Sequence, residues 1–226
     1  MSDHGAHERL IATLATGLEP VRPLSPVRRA LGWLVVVLAI AATLAYFSDL
    51  HAMMARLGAA PDMWLAALGS TLTAVLAIVA TFMTSVPGRS RGWALLPLPA
   101  LALWVGESGM GCARGWAIPG VEPGPQNGDH CMMFIFALSL PLSILLMVML
   151  RRTFPLRPNL TLALGGLAAA GAAATLLNFF HPFDASLGDL FAHAAAVAIV
   201  IVANRILGGP LIRWKPRNLR ASDVEG

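Results

Sequence analysis

The stretch that decides the fold is LTLALGGLAAAGAAATLLNFF, residues 160–180, which contains no charged residue. A helix needs about 20 apolar residues to cross a hydrocarbon layer, so this stretch is long enough to span a membrane. Small residues recur at four-residue spacing, at Gly166, Ala170 and Ala174, and such residues let helix backbones approach closely. We expect this helix to lie at the centre of a bundle. The alternative is an alanine-rich span that faces lipid.

Uncharged stretches recur on both sides of it. Residues 30–48, 63–88 and 131–150 have the length of a span, whereas 92–106 and 190–204 are shorter. Residues 92–106 contain two prolines, which a spanning helix tolerates only with local repair of its hydrogen bonds. The chain is 57% hydrophobic and 12% charged, whereas soluble domains are about 25% charged. The sequence therefore predicts an all-α polytopic membrane protein with six transmembrane helices.

The charged residues predict the orientation of these helices, because cytoplasmic loops carry an excess of Lys and Arg. With the N-terminus inside, fourteen of the sixteen Lys and Arg residues fall on the cytoplasmic side, and only Arg56 and Arg114 fall outside. Both termini are therefore predicted to be cytoplasmic. The arginines are scattered and form no basic face interleaved with aromatic residues, which argues against direct nucleic-acid binding.

Three regions follow from this arrangement: a cytoplasmic segment at 1–29, a six-helix domain at 30–208 and a basic cytoplasmic tail at 209–226. The first region is too short to form a domain, and prolines at every third position from 20 to 26 suit an extended tether.

Apolar residues recur at helical spacing before this tether, at Leu10, Ile11, Leu14 and Leu18. An isolated helix this short is marginal in water, so we expect it to gain order by docking its apolar side into a partner's groove. The alternative is that it lies on the lipid surface.

The chain has two cysteines, Cys112 and Cys131, and the charge pattern places both on the outer side. A disulfide is permitted in an oxidising compartment, and closing a loop of about 20 residues would contribute roughly 3 kcal/mol in the chain-entropy model. Residues 106–130 are rich in Gly and Pro and are predicted to form a non-helical loop. Three interpretations stay open: a structural disulfide, a reversible thiol switch or thiolate metal ligand, and two unlinked cysteines.

Histidines on the same side add a second candidate site. His193 is the strongest candidate because an ionisable residue inside a span is costly and often functional. The side chains that together could bind a zinc-like ion are Cys131, His181, Asp184 and His193. Their spacing is not a metal motif, and the alternative is neutral histidines that bond to neighbouring Asp or backbone. The spacing of His181 and His193 gives no specific indication that they bind a haem as its two axial ligands.

No catalytic motif is found, so the chain is predicted not to be an enzyme. The sequence contains no CxxC, no HExxH, no Gly-rich phosphate loop and no Gly-x-Ser-x-Gly. No cofactor is predicted apart from a regulatory metal ion of unknown identity.

Five segments, taken in order, resemble those of a known family. They are LIATLATGLEPVRPLSPVRRALGW (10–33), TSVPGRSRGW (84–93), ESGMGCARGW (107–116), SLPLSILLMVMLRRTFPLRPNLTLALGGLAAAGAAATLLNFFHP (139–182) and NRILGGPLIRW (204–214). The chain resembles the NrsF-type anti-sigma factors, six-span inner-membrane proteins that hold an extracytoplasmic-function (ECF) sigma factor inactive. The resemblance rests on the order and spacing of segments along nearly the whole chain.

The resemblance implies a stress-responsive regulator in the bacterial inner membrane. Its N-terminal segment would contact the sigma factor, and outer cysteines would govern release when metals or oxidants reach the periplasm. Cys112 resembles the family's loop cysteine. The chain departs from the family at the second cysteine, in the turn between spans five and six, where it has His181 and Pro182. Cys131, or a pair of His181 and His193, would then take that place.

Two other classes of function are compatible with the same residues. One is a small-molecule or metal transporter or channel, with His193 and Glu107 lining a path. The other is a membrane redox enzyme that passes electrons through Cys112 and Cys131.

Overall fold

The computed structural model describes residues 3–16, 25–59, 61–117, 128–151, 153, 155–180 and 187–212. These residues form α-helices and one 3-10 helix, with no strand in the described ranges, which confirms the all-α class. The α-helices are α1 (Asp3–Thr16), α2 (Pro26–Phe47), α3 (Leu50–Ala59), α4 (Pro61–Ser85), α5 (Leu98–Ala117), α6 (Gly128–Leu150), α7 (Pro158–Leu177) and α8 (Leu187–Ile212), and the 3-10 helix is Arg91–Leu95.

Five of the described helices, α2, α4, α6, α7 and α8, are long and apolar enough to cross a membrane. The remaining long helix, α5, has 20 residues, but its second half contains Glu107, Ser108 and several glycines, which lower its mean hydropathy. A polytopic membrane architecture is thereby supported. The count of six spans and the cytoplasmic position of both termini remain predictions.

The third predicted span, residues 92–106, begins too early. Arg91–Leu95 is a 3-10 helix, and α5 begins only at Leu98. Pro99 thus lies in the first turn of α5, where a backbone N–H would have no partner within the helix and its loss costs little. The prolines therefore mark the start of the helix and do not interrupt it.

The predicted non-helical loop at 106–130 is also wrong where the structure describes it, since α5 continues to Ala117 and α6 begins at Gly128. Each glycine weakens a helix by only about 1 kcal/mol. Extending a helix that already exists adds one hydrogen bond for each residue that is ordered, whereas starting a new one is unfavourable. The glycines of this segment therefore do not end α5.

A short helix that the sequence pattern did not predict, α3, connects α2 to α4. The Asp49 side chain caps α3, because Oδ1 accepts a hydrogen bond from the N–H of Ala52 at 2.9 Å.

A tight turn follows the C-terminal end of α4. In the turn Val86-Pro87-Gly88-Arg89 the N–H of Arg89 donates to the Val86 carbonyl at 3.4 Å. Gly88 has φ +81°, the left-handed conformation that this position of a type II turn requires.

The centre of the bundle is α7, as the small-residue pattern predicts. In its most apolar stretch 83% of the residues are buried, against 11% in α2. It packs extensively against α4, α6 and α8. A Cβ placed on Gly166 would lie 2.8 Å from the Cα of Ile201 in α8, and one on Gly171 would lie 3.2 Å from the backbone N of Ala74 in α4. At Gly166 a side chain would force the two backbones apart, whereas at Gly171 the backbone of α4 would have to shift by only a few tenths of an ångström.

Polar side chains inside the bundle mostly bond to the backbone of their own helix. The Thr81 hydroxyl donates to the Ala77 carbonyl at 2.7 Å, and the Thr84 hydroxyl donates to the Ala80 carbonyl at 2.8 Å. Lipid offers no water to satisfy a hydroxyl, so bonds of this kind allow threonine inside a span.

Candidate functional site

The N-terminal helix α1 carries the candidate partner-binding residues. Leu10, Ile11 and Leu14 are 58%, 66% and 63% exposed, and every residue from 5 to 16 is exposed. Among the described helices, α1 is in none of the extensively packed pairs. Leu18, the fourth predicted member of the stripe, lies outside the described residues. The structure thus contains the predicted helix, with the three described apolar side chains uncovered.

The first span, α2, begins at a well-formed cap. Ser25 is its N-cap, and the Ser25 hydroxyl accepts a hydrogen bond from the N–H of Arg28 at 3.4 Å. Pro26 occupies the first turn of the helix, where proline is favoured. The last proline of the predicted tether is therefore already part of the membrane-spanning helix.

Two side chains near the start of α2 bond to carbonyls of α6. The Trp33 Nε1–H donates to the Leu142 carbonyl at 3.2 Å, and the Arg29 guanidinium donates to the Met149 carbonyl. Met149 is among the last four residues of α6, whose carbonyls have no partner within the helix. A cation is also favourable there, because the helix dipole places negative charge at the C-terminal end. Sequence reasoning assigned no role to Arg29 or Trp33.

The two cysteines lie at the ends of helices that flank residues 118–127. Cys112 belongs to the last turns of α5, and Cys131 belongs to the first turn of α6. Their side chains are outside the described part of the structure, so their pairing remains a prediction. Within the described residues α5 and α6 do not pack extensively against each other; α5 packs mainly on α4, and α6 on α7 and α8.

The predicted metal ligands are only partly described. His181 and Asp184 lie outside the described residues, whereas His193 is half-buried near the start of α8 and has an interaction partner. Glu107 is half-buried in α5. Among the described side chains, no group of three His, Cys, Asp or Glu residues converges as a metal site would require. The proposed ligand set is therefore untested by the structure.

A buried polar contact between α6 and α8 was missed by sequence reasoning. Asn204 is 4% exposed, and its Nδ2 donates to the Ser143 hydroxyl at 2.9 Å and to the Val200 carbonyl at 2.8 Å. The Asn204 Oδ1 is buried without a hydrogen-bond partner among the described residues, as is the Ser139 hydroxyl. The signal that could have found this contact is the lone carboxamide in the uncharged stretch 190–204.

Together these features define a class: a helical protein of membrane type whose N-terminal helix presents an uncovered apolar stripe. The chain matches the family described as NrsF, negative regulator of sigma F, over residues 14–214. Because the match covers most of the chain, the protein belongs to this family. The resemblance inferred from the sequence is thereby confirmed. Comparisons with curated proteins and with solved structures give no match.

Family membership makes the chain an anti-sigma factor with a sigma factor as its partner. The family is regulatory, in agreement with the prediction that the chain is not an enzyme.

Proposed function

We propose that the protein holds an ECF-type sigma factor at the bacterial inner membrane through α1. The observation that carries this proposal is the exposed apolar stripe of Leu10, Ile11 and Leu14 on a helix without extensive packing against the bundle. An amphipathic helix that lays its apolar side in a partner's groove is a common mode of recognition. Leu18 would extend the stripe by one more turn.

The energetics favour a partner over an exposed helix. Burying a leucine or isoleucine side chain stabilises by about 1.5–3 kcal/mol, so burial of three such residues, together with the hydrogen bonds of the helix, opposes the cost of ordering the segment. Unbound, the same segment is marginal in water because helix nucleation is costly. Binding of the sigma factor and ordering of α1 are therefore expected to occur together.

Release would be controlled from the outer side through Cys112 and Cys131. These cysteines lie near the ends of α5 and α6, two helices that pack on different neighbours. A disulfide or a shared metal ion would link these ends by a constraint that helix packing does not supply. Cys131 would act with His181, Asp184 and His193 if the signal is a metal ion. A signal that favours one helix arrangement by about 3 kcal/mol changes the released fraction about a hundredfold.

The docking proposal is tested with a charge in the stripe. The tagged full chain is co-expressed with each sigma factor encoded in the same genome, and the captured protein is identified by mass spectrometry. We expect the parent to capture one ECF sigma factor and Leu14→Asp to weaken capture at least a hundredfold, because a carboxylate would replace a buried leucine.

Ala12→Asp is the matched control, because Ala12 is exposed on the side of α1 away from Leu10 and Leu14. It introduces the same charge into the same helix and should retain capture. Undiminished capture by Leu14→Asp, or equal loss in both variants, would contradict docking through the stripe.

The signalling proposal is tested with Cys112→Ser and Cys131→Ser. Both variants should capture the sigma factor like the parent, since neither residue lies near α1 in the chain. A sigma-dependent reporter should lose its induction by periplasmic metal or oxidant in each variant. Induction equal to that of the parent in both variants would show that the cysteines are not needed for release of the sigma factor.

A further inference from the structure

The first span, α2, is buried against the bundle near its N-terminal end and exposed at its C-terminal end. Its two buried residues, Ala30 and Trp33, both lie in its first turns, and Trp33 is completely buried. Leu34, Val37 and Ile40 pack on the core from the side and remain partly exposed. Tyr46, at the outer end, is 84% exposed. The firm attachment of α2 is therefore at its cytoplasmic end, next to the segment that leads to α1.

The polar part of this attachment includes two hydrogen bonds from α2 to α6. We define the clasp as the side chains of Arg29 and Trp33 with the carbonyls of Met149 and Leu142, which they meet in α6. Trp33 combines a hydrogen bond with the filling of a core site, and Arg29 satisfies a carbonyl at the end of α6. The clasp thus joins α2 to α6 by polar bonds, while α2 packs mainly against α4.

The clasp lies directly beside a weak point of α6. Pro141 is inside that helix, and Leu142, the acceptor for Trp33, is the next residue. Proline has no N–H, so the Ala137 carbonyl cannot receive its usual bond from residue 141, and helices bend at such positions. The outer half of α6, which begins at Gly128 and includes Cys131, can therefore change its direction relative to the inner half at Pro141.

We propose that the clasp fixes the position of α1 and that bending of α6 at Pro141 opens it. This inference rests on the function proposed above. Pro20 and Pro23 lie in the linker between the two helices, and a linker with this proline spacing is predicted to be extended and semi-rigid, so we expect the direction of the first turn of α2 to set the position of α1. A positioned helix binds its partner more tightly because less freedom is lost on binding. Opening of the clasp therefore lowers the affinity for the sigma factor, and Arg29 and Trp33 are positioning residues.

Opening is measured as the reactivity of a buried thiol. Ala30 is 2% exposed, and Ala30→Cys in a chain that carries Cys112→Ser and Cys131→Ser reacts with a water-soluble maleimide only when α2 separates from the bundle. Loss of one hydrogen bond should increase the open fraction about fivefold. We therefore expect Trp33→Phe and Arg29→Gln each to accelerate labelling about fivefold in purified full-length protein in lipid nanodiscs.

Two matched controls keep the comparison specific. Trp64→Phe changes a tryptophan that is exposed on α4, and Arg28→Gln removes the same charge as Arg29→Gln from the same turn. Both should label at the rate of the parent. Unchanged labelling in Trp33→Phe and in Arg29→Gln, or equal acceleration by Arg28→Gln, would overturn the inference.

A covalent cross-link between α2 and α6 tests whether opening of the clasp affects binding of the sigma factor. A Cβ on Gly32 would lie 3.9 Å from the Met149 Cε, so the thiols of Gly32→Cys and Met149→Cys lie within reach of a short bis-maleimide, which adds to both thiols. Trp33→Phe should weaken capture of the sigma factor about fivefold, and cross-linking this pair should restore it. A variant that labels faster but captures the sigma factor like the parent would show that opening of the clasp does not lower the affinity for the sigma factor, which would overturn the inference. A parent chain that captures no sigma factor would contradict the proposed function, while the labelling rates would still test the clasp.

Discussion

The Asn204 carboxamide, buried inside the bundle, makes hydrogen bonds to described residues with its nitrogen but not with its oxygen. Asn204 bonds across to Ser143 through Nδ2, but its Oδ1 has no partner among the described residues. Hydrogen bonds between helices in a membrane contribute about 0.6 kcal/mol on average, whereas a buried acceptor without a partner costs about 1–3 kcal/mol. Even with the second bond of Nδ2 to the Val200 carbonyl, we expect the net contribution of Asn204 to stability to be unfavourable.

Substitution of Asn204 tests this balance. Asn204→Leu has the same branching and the same number of side-chain heavy atoms but is bulkier, and it removes the unpaired oxygen, so the free energy of unfolding should increase by up to about 1 kcal/mol. Asn204→Asp places a charge at the same position and should lower it by about 3 kcal/mol. Both are measured by detergent-induced unfolding of the purified chain. A loss of stability in Asn204→Leu would contradict the unfavourable net contribution expected for Asn204.

At the scale of the helices, the contact between α7 and α8 depends on Gly166. Its absent side chain lets the backbone of Ile201 approach, and a backbone cannot move aside as the end of a side chain can. Gly166→Ala should separate the helices and lower the free energy of unfolding by about 1–3 kcal/mol. Gly106→Ala in α5 is the control, since no atom of another helix lies within 4 Å of the place where the alanine Cβ would stand, and alanine favours the helix. Equal stability of Gly166→Ala and the parent in thermal unfolding would contradict close packing.

Helix positions were predictable where one signal dominates. The uncharged runs located α2, α4, α6, α7 and α8 because burial in lipid excludes charge along a whole span. The signals near α5 compete: its prolines permit a helix start, and its glycines weaken the helix without ending it. The pattern therefore misplaced this helix, because local propensity amounts to only about 1 kcal/mol per residue.

The topology of the whole molecule is predicted by its charge asymmetry. With six spans both termini are cytoplasmic, whereas five spans would place them on opposite sides. Green fluorescent protein fused at residue 226 should therefore fluoresce, and alkaline phosphatase fused at that position should be inactive. Alkaline phosphatase fused after residue 124 should be active, because α5 would then have crossed the membrane. An active phosphatase at residue 226 would contradict the six-span prediction.

The candidate site was predictable to different degrees. The stripe of Leu10, Ile11 and Leu14 follows from helical spacing alone, because a short helix outside the bundle makes few other contacts. Arg29 and Trp33 could not be recognised in this way, since their partners are backbone carbonyls of residues more than 100 positions away in the chain. Every residue has such a carbonyl, so no pattern of residue types marks the acceptors.

The sequence by itself determined the helical class, the five strongest apolar spans and the central place of the small-residue helix α7. These properties follow from the free energy of transfer into lipid, which adds up over residues that are adjacent in the chain, and from the sizes of the side chains. Only the tertiary structure decided that α2 meets α6 through Arg29 and Trp33 and that Asn204 bonds to Ser143. These contacts depend on how helices distant in the chain rotate and approach one another, and that is set by the packing of the whole bundle.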